Sequence, residues 1–157
     1  MKQKFIDLYM DWAHRVSQLS HARRLHVGAV IVKDDTVISY GYNGMPAGWD
    51  NNCEDEVYAN EWSIDNNQWD YQDDTGKPYN LKTKPEVLHA ESNAIAKLAR
   101  GSNSGLGADI FVTHAPCLEC SKLIYQSGVG RVYYRTDYRD DSGLKFLARS
   151  GVEVHQV

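Results

Sequence analysis

The sequence predicts an α/β fold, a three-layer α/β/α sandwich around a five-stranded mixed sheet, and three observations predict it. Apolar runs of strand length alternate with helical repeats through the second half, which implies parallel strands joined by right-handed helical crossovers. Near the start, two strand-like runs are separated only by a turn at Asp34-Asp35, an antiparallel hairpin that makes the sheet mixed. Ahead of them stands an amphipathic helix, the element that covers one face of a sheet.

Taken in order, residues 2–19 carry Phe5, Leu8, Trp12, Val16 and Leu19 at steps of three and four, with Lys4, Asp7, Asp11 and Arg15 outside them. That spacing predicts a helix buried along this stripe. Residues 27–32 are apolar on both faces, as in a central strand, and residues 37–42 alternate as its hairpin partner. Then comes Gly41-Tyr42-Asn43-Gly44-Met45-Pro46-Ala47-Gly48. Three glycines and a proline in eight residues predict an unusual backbone path, with positive φ or a close ligand approach at the glycines.

From Asp50 to Gly76 there is no Lys or Arg, while Asp and Glu occur nine times. Tyr58, Trp62, Trp69 and Tyr71 interrupt the acids, so the stretch at about 50–80 reads as a partly ordered insert with a short helix near 57–62. It either closes over a ligand, packs against another subunit, or forms a solvated loop anchored by its aromatics. Helical spacing returns at 86 or 87 and runs to Arg100, ended by Gly101. It places His89 and Glu91 in the first turns, near the positive end of the helix dipole. A short strand at 110–113 leads to Pro116, which opens a further helix at a favoured early position and puts Cys117 and Cys120 one turn apart on one side. A strand at 131–135, a helix at 144–149 and a strand at 152–155 complete the chain.

A chain of 157 residues, 42% hydrophobic and 24% charged, forms one domain with a real core. A formal charge of −4 and a pI near 5.8 leave no basic footprint for duplex DNA or long RNA. No apolar run reaches the ~18 residues of a membrane span, and no signal-peptide core opens the chain. Three cysteines, two of them in one C-x-x-C, suit a reducing cytoplasm better than a disulfide scaffold.

His89, Cys117 and Cys120 form a soft-to-borderline donor set that favours zinc over magnesium or calcium. Three protein ligands leave a tetrahedral position open, the mark of a catalytic metal; a structural zinc needs a fourth protein ligand. Cys53 is the one remaining cysteine and reads as an unpaired thiol in the insert. A zinc held by the three would lower the pKa of water toward ~7, and Glu91, two residues from the histidine, would serve as general acid and base.

The pattern H-x-E…P-C-x-x-C resembles that of the zinc nucleobase deaminases. Together with Val27-Gly28-Ala29, the 41–48 loop and His89-Ala90-Glu91-Ser92-Asn93-Ala94-Ile95, it resembles the deoxycytidylate (dCMP) deaminases. That resemblance implies a cytidine deaminase-like fold and hydrolysis of dCMP to dUMP and ammonia, a supply of dUMP for thymidylate synthesis. It implies one catalytic Zn²⁺ per chain on His89, Cys117 and Cys120, with Glu91 as the proton shuttle and Asn43 and Ala90 on the substrate. It further implies a homohexamer, activated by dCTP with Mg²⁺ and inhibited by dTTP, with the effector held near Gly41, Tyr42, Asn43, Gly44, Met45 and Gly48. A glycine-rich backbone can cradle phosphates in a nest of N–H groups.

The substrate phosphate needs a cation, and Arg23 or Arg24 ahead of the first strand, or Tyr138-Arg139 after the strand at 131–135, are the candidates. The acidic insert departs from the family pattern. So does the lack of the extra cysteines that give some phage members a second, structural zinc. Other readings of the same residues are a deaminase of another cytosine nucleoside or nucleotide, and a non-catalytic zinc module of the same fold.

Overall fold

A computed structural model describes residues 1–60 and 68–157. Helix α1 (Gln3–Ser17) leads into the hairpin β1 (Gly28–Lys33) and β2 (Thr36–Tyr42). Strands β3 (Glu54–Tyr58), β4 (Tyr71–Gln72) and β5 (Pro78–Thr83) follow. The remainder alternates: α2 (Ala90–Ala99), β6 (Asp109–His114), α3 (Leu118–Gln126), β7 (Arg131–Thr136), α4 (Ser142–Arg149) and β8 (Glu153–Gln156). The main sheet has the order β2-β1-β6-β7-β8. β1 is antiparallel to both β2 and β6, whereas β6, β7 and β8 run parallel. The sheet is therefore five-stranded and mixed, as predicted. Asp34 and Asp35 both take positive φ, 49° and 57°, the backbone of a two-residue hairpin turn that aspartate tolerates.

Strand alternation divides the core into two. Ala29, Ile31, Ile110, Val112 and Val132 face Ala94 and Leu98 of α2, Ile124 of α3 and Leu147 of α4. Val30, Val32, Phe111 and Tyr133 face Ile6, Tyr9, Met10 and Ala13 of α1. Three helices thus cover one face and one helix the other.

The face that α1 buries differs from the predicted stripe. Ile6, Tyr9, Met10, Ala13 and Ser17 are buried, while Leu8, Trp12 and Leu19 remain 44%, 48% and 50% exposed; Phe5 and Val16 sit at the margin of the core. The reason is a close approach. A Cβ placed on Gly28 would lie 2.1 Å from the Ala13 carbonyl oxygen and 2.6 Å from the Ser17 nitrogen. Only the small residues Ala13 and Ser17 allow the helix to sit that near β1, and this sets its rotation. Spacing alone does not distinguish two apolar stripes on one helix.

The insert also departs from expectation. Residues 57 and 58, where a short helix near 57–62 is expected to start, instead end β3, an edge strand of a second antiparallel sheet, β3-β5-β4; Trp62 and the rest of 61–67 lie outside the described residues. Tyr79 on the central strand lies 5.3 Å from the Tyr58 ring and 5.4 Å from the Tyr71 ring, so these aromatics pair across strands. The acids of β3 meet cations: Arg23 with Glu56 at 3.1 Å and Lys84 with Asp55 at 3.8 Å. Two further boundaries shift. α2 begins at Ala90 with His89 as its N-cap, and α3 begins at Leu118 with Cys117 as its N-cap, so Pro116 precedes the helix instead of opening it.

The glycines at 41–48 work differently from expectation. Only Gly48 takes positive φ, and the close approach at Gly41 is to a helix: a Cβ there would lie 2.2 Å from the Ala90 carbonyl oxygen and 2.6 Å from the Ala94 nitrogen. Gly44 exchanges backbone hydrogen bonds with Leu88 (3.1 and 2.9 Å), and Asn93 donates to the Tyr42 carbonyl (2.8 Å). The loop thus clamps the entry to α2. Replacing Gly41 by Ala should force α2 away from β2 and cost about 1–3 kcal/mol, read by urea unfolding. Gly44→Ala, where nothing lies within 4 Å of the added carbon, should stay within about 0.5 kcal/mol of the parent. Equal losses at both positions would refute this account of the loop.

Candidate active site

Two helix starts converge at the carboxyl ends of the parallel strands, where open α/β sheets bind ligands. His89 caps α2. Cys117 caps α3, with Cys120 in its first turn. The ligand atoms of His89, Cys117 and Cys120 all lie within 4.8 Å of one another, the one such His/Cys/Asp/Glu group among the described residues. His89 Nδ1 is 3.7 Å from Cys117 Sγ and 3.4 Å from Cys120 Sγ. Tetrahedral zinc, with bonds of about 2.3 Å to sulfur and about 2.05 Å to nitrogen, separates such atoms by about 3.6 Å. Donor chemistry and spacing therefore both fit zinc.

The electrostatics suit a cation. The Cys117 thiol is pushed down to about 4 by hydrogen bonds from the Cys120 thiol and from His89. With that thiolate formed, Cys120 retains the remaining proton and is pushed up, first by its hydrogen bond to Cys117 and then by burial. The hydrogen bond to Cys117 raises His89 as well. Glu91, in the first turn of α2, is 4% exposed, and burial raises its carboxyl above the ordinary range. It lines the same cavity as His89 and Cys117.

That cavity has a volume of about 700 Å³, within the range that takes a nucleotide-sized ligand. Of the residues singled out in the sequence, Asn43, Ala90, Arg24, Tyr138 and Arg139 line it together with His89, Glu91 and Cys117. Gly41, Tyr42, Gly44, Met45 and Gly48 do not; Met45 instead packs on Ala22, Cys53 and Val87. Asn43 is held at both ends of its amide, accepting from Val27 N–H and donating to the Leu25 carbonyl, both at 2.8 Å. One N–H and one lone pair remain for a ligand. Arg23 is turned away to Glu56, whereas the Arg24 guanidinium donates to Thr83 Oγ1 at 3.3 Å.

Among the residues of this cavity not singled out from the sequence, four stand out. Lys82 and Lys84 come from the end of the insert, and His114 from the last position of β6. Glu54 is 1% exposed, and its carboxylate accepts the backbone N–H groups of Arg23 and Arg24 at 3.1–3.2 Å. That contact fixes the segment carrying Arg24 against the insert. A signal existed for the lysines: after 43 residues without a cation, from Asp34 to Gly76, Lys77, Lys82 and Lys84 crowd just ahead of His89.

Residues 3–136 match the family described as "Cytidine and deoxycytidylate deaminase zinc-binding region". The crystal structure of the cyanophage S-TIM5 dCMP deaminase in complex with dCMP and dUMP superimposes with a TM-score of 0.81 at 38% identity, covering 100% of this chain and 99% of that one. Human deoxycytidylate deaminase is 34% identical over 151 residues, 91% of this chain and 75% of its own. The deoxycytidylate deaminase of enterobacteria phage T4 is 33% identical over 168 residues, 92% of this chain and 86% of its own.

Proposed function

From the premise that the chain belongs to the cytidine and deoxycytidylate deaminase family and is a hydrolytic deaminase, we propose that it converts dCMP and water to dUMP and ammonia. The observation that carries this reading is a buried carboxyl, Glu91, beside a His/Cys/Cys cluster, in a cavity whose lining also holds Arg24, Lys82, Lys84 and Arg139.

His89, Cys117 and Cys120 would hold the metal. Zinc bound there would supply a Lewis acid that makes water acidic enough to attack at neutral pH. Glu91 accepts the proton released as the water oxygen bonds to C4 of the pyrimidine, and passes it to N3. It then carries the second proton to the amino nitrogen, so that the C4–N bond breaks and ammonia leaves. Asn43 and the Ala90 backbone orient the nucleoside, while Tyr138 packs beside it. The cations Arg24, Lys82, Lys84 and Arg139 take the 5′-phosphate.

The family's regulation by dCTP with Mg²⁺ (activating) and dTTP (inhibiting) extends to this chain through the 41–48 loop. The physical support is the double tie from that loop to the start of α2: Gly44 to Leu88, and Asn93 to Tyr42. An effector held by the loop thereby reaches His89 and Glu91. Leu8 and Trp12, exposed on α1, and Leu19 just beyond it are apolar surface that assembly into a hexamer would cover. Thiol ligands suit a cytoplasmic location; among the described residues no helix is long and apolar enough to cross a membrane.

Steady-state turnover of dCMP, deoxycytidine and dCTP, with and without Mg-dCTP and Mg-dTTP, tests substrate and regulation together. dCMP should be strongly preferred, and preference for deoxycytidine would overturn the proposal in favour of a nucleoside deaminase. Replacing both Lys82 and Lys84 by Ala should raise KM for dCMP about 10- to 100-fold, the scale of lost charge-assisted hydrogen bonds, and leave deoxycytidine turnover unchanged. If both substrates suffered alike, the lysines would not be reading the phosphate.

A further inference from the structure

Among the polar side chains of the cavity that the mechanism does not use, His114 is the one whose hydrogen bonding ties it to the same strand end as Asn43. It ends β6, three residues before Cys117, and is half-buried in the cavity lining. Its Nδ1 lies 3.0 Å from the hydroxyl of Thr113. That hydroxyl oxygen already accepts the Gly28 N–H at 3.1 Å. Among the described residues, His114 Nδ1 is the one acceptor within reach of the Thr113 proton. Donation by the hydroxyl to Nδ1 gives the Thr113 proton its acceptor and leaves the ring proton on Nε2, the arrangement adopted here. Burial acts in the same direction, lowering the tendency of the ring to take a second proton. The ring is a neutral imidazole with one donor, on the side away from Thr113.

Its position says what that donor meets. Val27 N–H anchors Asn43, and the next amide, Gly28 N–H, anchors Thr113 and through it His114. Asn43 and His114 are thus set by two consecutive backbone groups at the same end of β1. The metal cluster takes the reacting C4, and the cations take the phosphate. Asn43 and His114 line the same cavity as both, so in this reading they are left for the nucleoside. A cytosine nucleoside offers uncharged oxygen acceptors there, the 2-carbonyl and the sugar oxygens.

We propose that His114 is a substrate-binding and specificity residue, a neutral Nε2–H donor to an oxygen of the nucleoside moiety, with its tautomer set by the chain Gly28 N–H to Thr113 hydroxyl to His114 Nδ1. The inference rests on the reading of this cavity as a cytosine nucleotide site. A charged donor would bind any anion that entered. A neutral donor of fixed tautomer reads an uncharged oxygen and leaves the phosphate to the lysines and arginines.

The first test is spectroscopic and needs no turnover. Nitrogen-15 shifts of the His114 ring in the full-length, zinc-loaded protein should show the Nε2–H tautomer at neutral pH, and adding dUMP, which does not react, should move the Nε2 resonance. An Nδ1–H tautomer, an imidazolium, or an unmoved Nε2 at saturating dUMP would overturn the proposal. Failure of dUMP to bind at all would instead count against the nucleotide reading of the cavity.

The second test is kinetic. His114→Phe, which keeps a ring without a donor, should lower kcat/KM for dCMP at least about tenfold, with zinc content unchanged. His114→Gln, whose amide nitrogen reaches the Nε2 position, should recover much of the loss. Thr113→Val should release the tautomer, producing a second set of ring nitrogen shifts. Comparison of dCMP with 2′,3′-dideoxycytidine monophosphate then locates the acceptor. If the loss from His114→Phe vanishes on the dideoxy substrate, the partner is the 3′-hydroxyl; if it persists, the partner is the 2-carbonyl or the ring oxygen. Equal kcat/KM in His114→Phe and the parent would refute the proposal.

Discussion

Replacing Glu91 by Gln should leave zinc bound at the parent's level and lower dCMP turnover by a factor on the order of 10²–10⁴, the usual contribution of a positioned acid–base group. Gln has nearly the same shape and can occupy the same site in the first turn of α2. It can donate and accept hydrogen bonds, but it cannot take a proton from water and release it to a nitrogen. Deamination needs two such transfers, to N3 and to the departing amine, and Glu91 is the buried carboxyl whose charge acts on His89, Cys117 and Cys120. Burial raises its carboxyl, which brings its affinity for a proton nearer to neutrality, where both transfers are fast. Metal analysis and steady-state kinetics on one preparation check the result. Activity within tenfold of the parent, zinc being retained, would remove Glu91 from the mechanism.

The second large effect is expected from the metal. Cys120→Ala, or stripping with a chelator, should abolish turnover, and in the chelated parent protein zinc alone should restore it. Stability should fall too, because His89 caps α2 and Cys117 caps α3, so an ion held by them would tie the two helix starts together more firmly than their hydrogen bonds alone. A ligand present at about a thousand times its dissociation constant stabilises the folded state by about 4 kcal/mol, which for a domain of this size shifts Tm by on the order of 10 °C. Differential scanning of the parent with and without chelator measures that shift. The stoichiometry should be one zinc per chain. Cys53, the remaining thiol, lies in an apolar cluster with Ala22 and Val87, and burial pushes it up, away from the thiolate form that a metal needs. Two tightly bound zinc ions, or full activity after chelation, would contradict this account.

The sheet and the metal cluster were legible in the sequence because both rest on short-range chemistry. Residues 27–32 are apolar at every position, which few structures other than a doubly covered strand accommodate. Spacings of two between His89 and Glu91 and three between Cys117 and Cys120 can be read without knowing where either helix lies. The rotation of α1 was not legible. Leu8 and Trp12 are the more apolar stripe, yet Ala13 and Ser17 are the residues that fit against Gly28, and that contact joins positions far apart in the chain. Residues 54–58 resisted for a related reason: a five-residue acidic strand acquires its identity from pairing with 79–83, not from its own composition.

The sequence by itself determined the chemistry of this protein: a His/Cys/Cys donor set, a neighbouring carboxyl, an α/β frame and a net acidic chain. These follow from residue identity and local spacing, which the chain carries at every stage of folding. Only the tertiary structure decided what surrounds that chemistry. It brought Lys82 and Lys84 from the insert into the cavity with Arg24, turned Arg23 away to Glu56, made the 41–48 glycines a clamp on α2, and set His114 on Thr113. Each of those outcomes depends on which distant segments pack together, and packing is governed by shape and by the pairing of buried polar groups across the whole molecule.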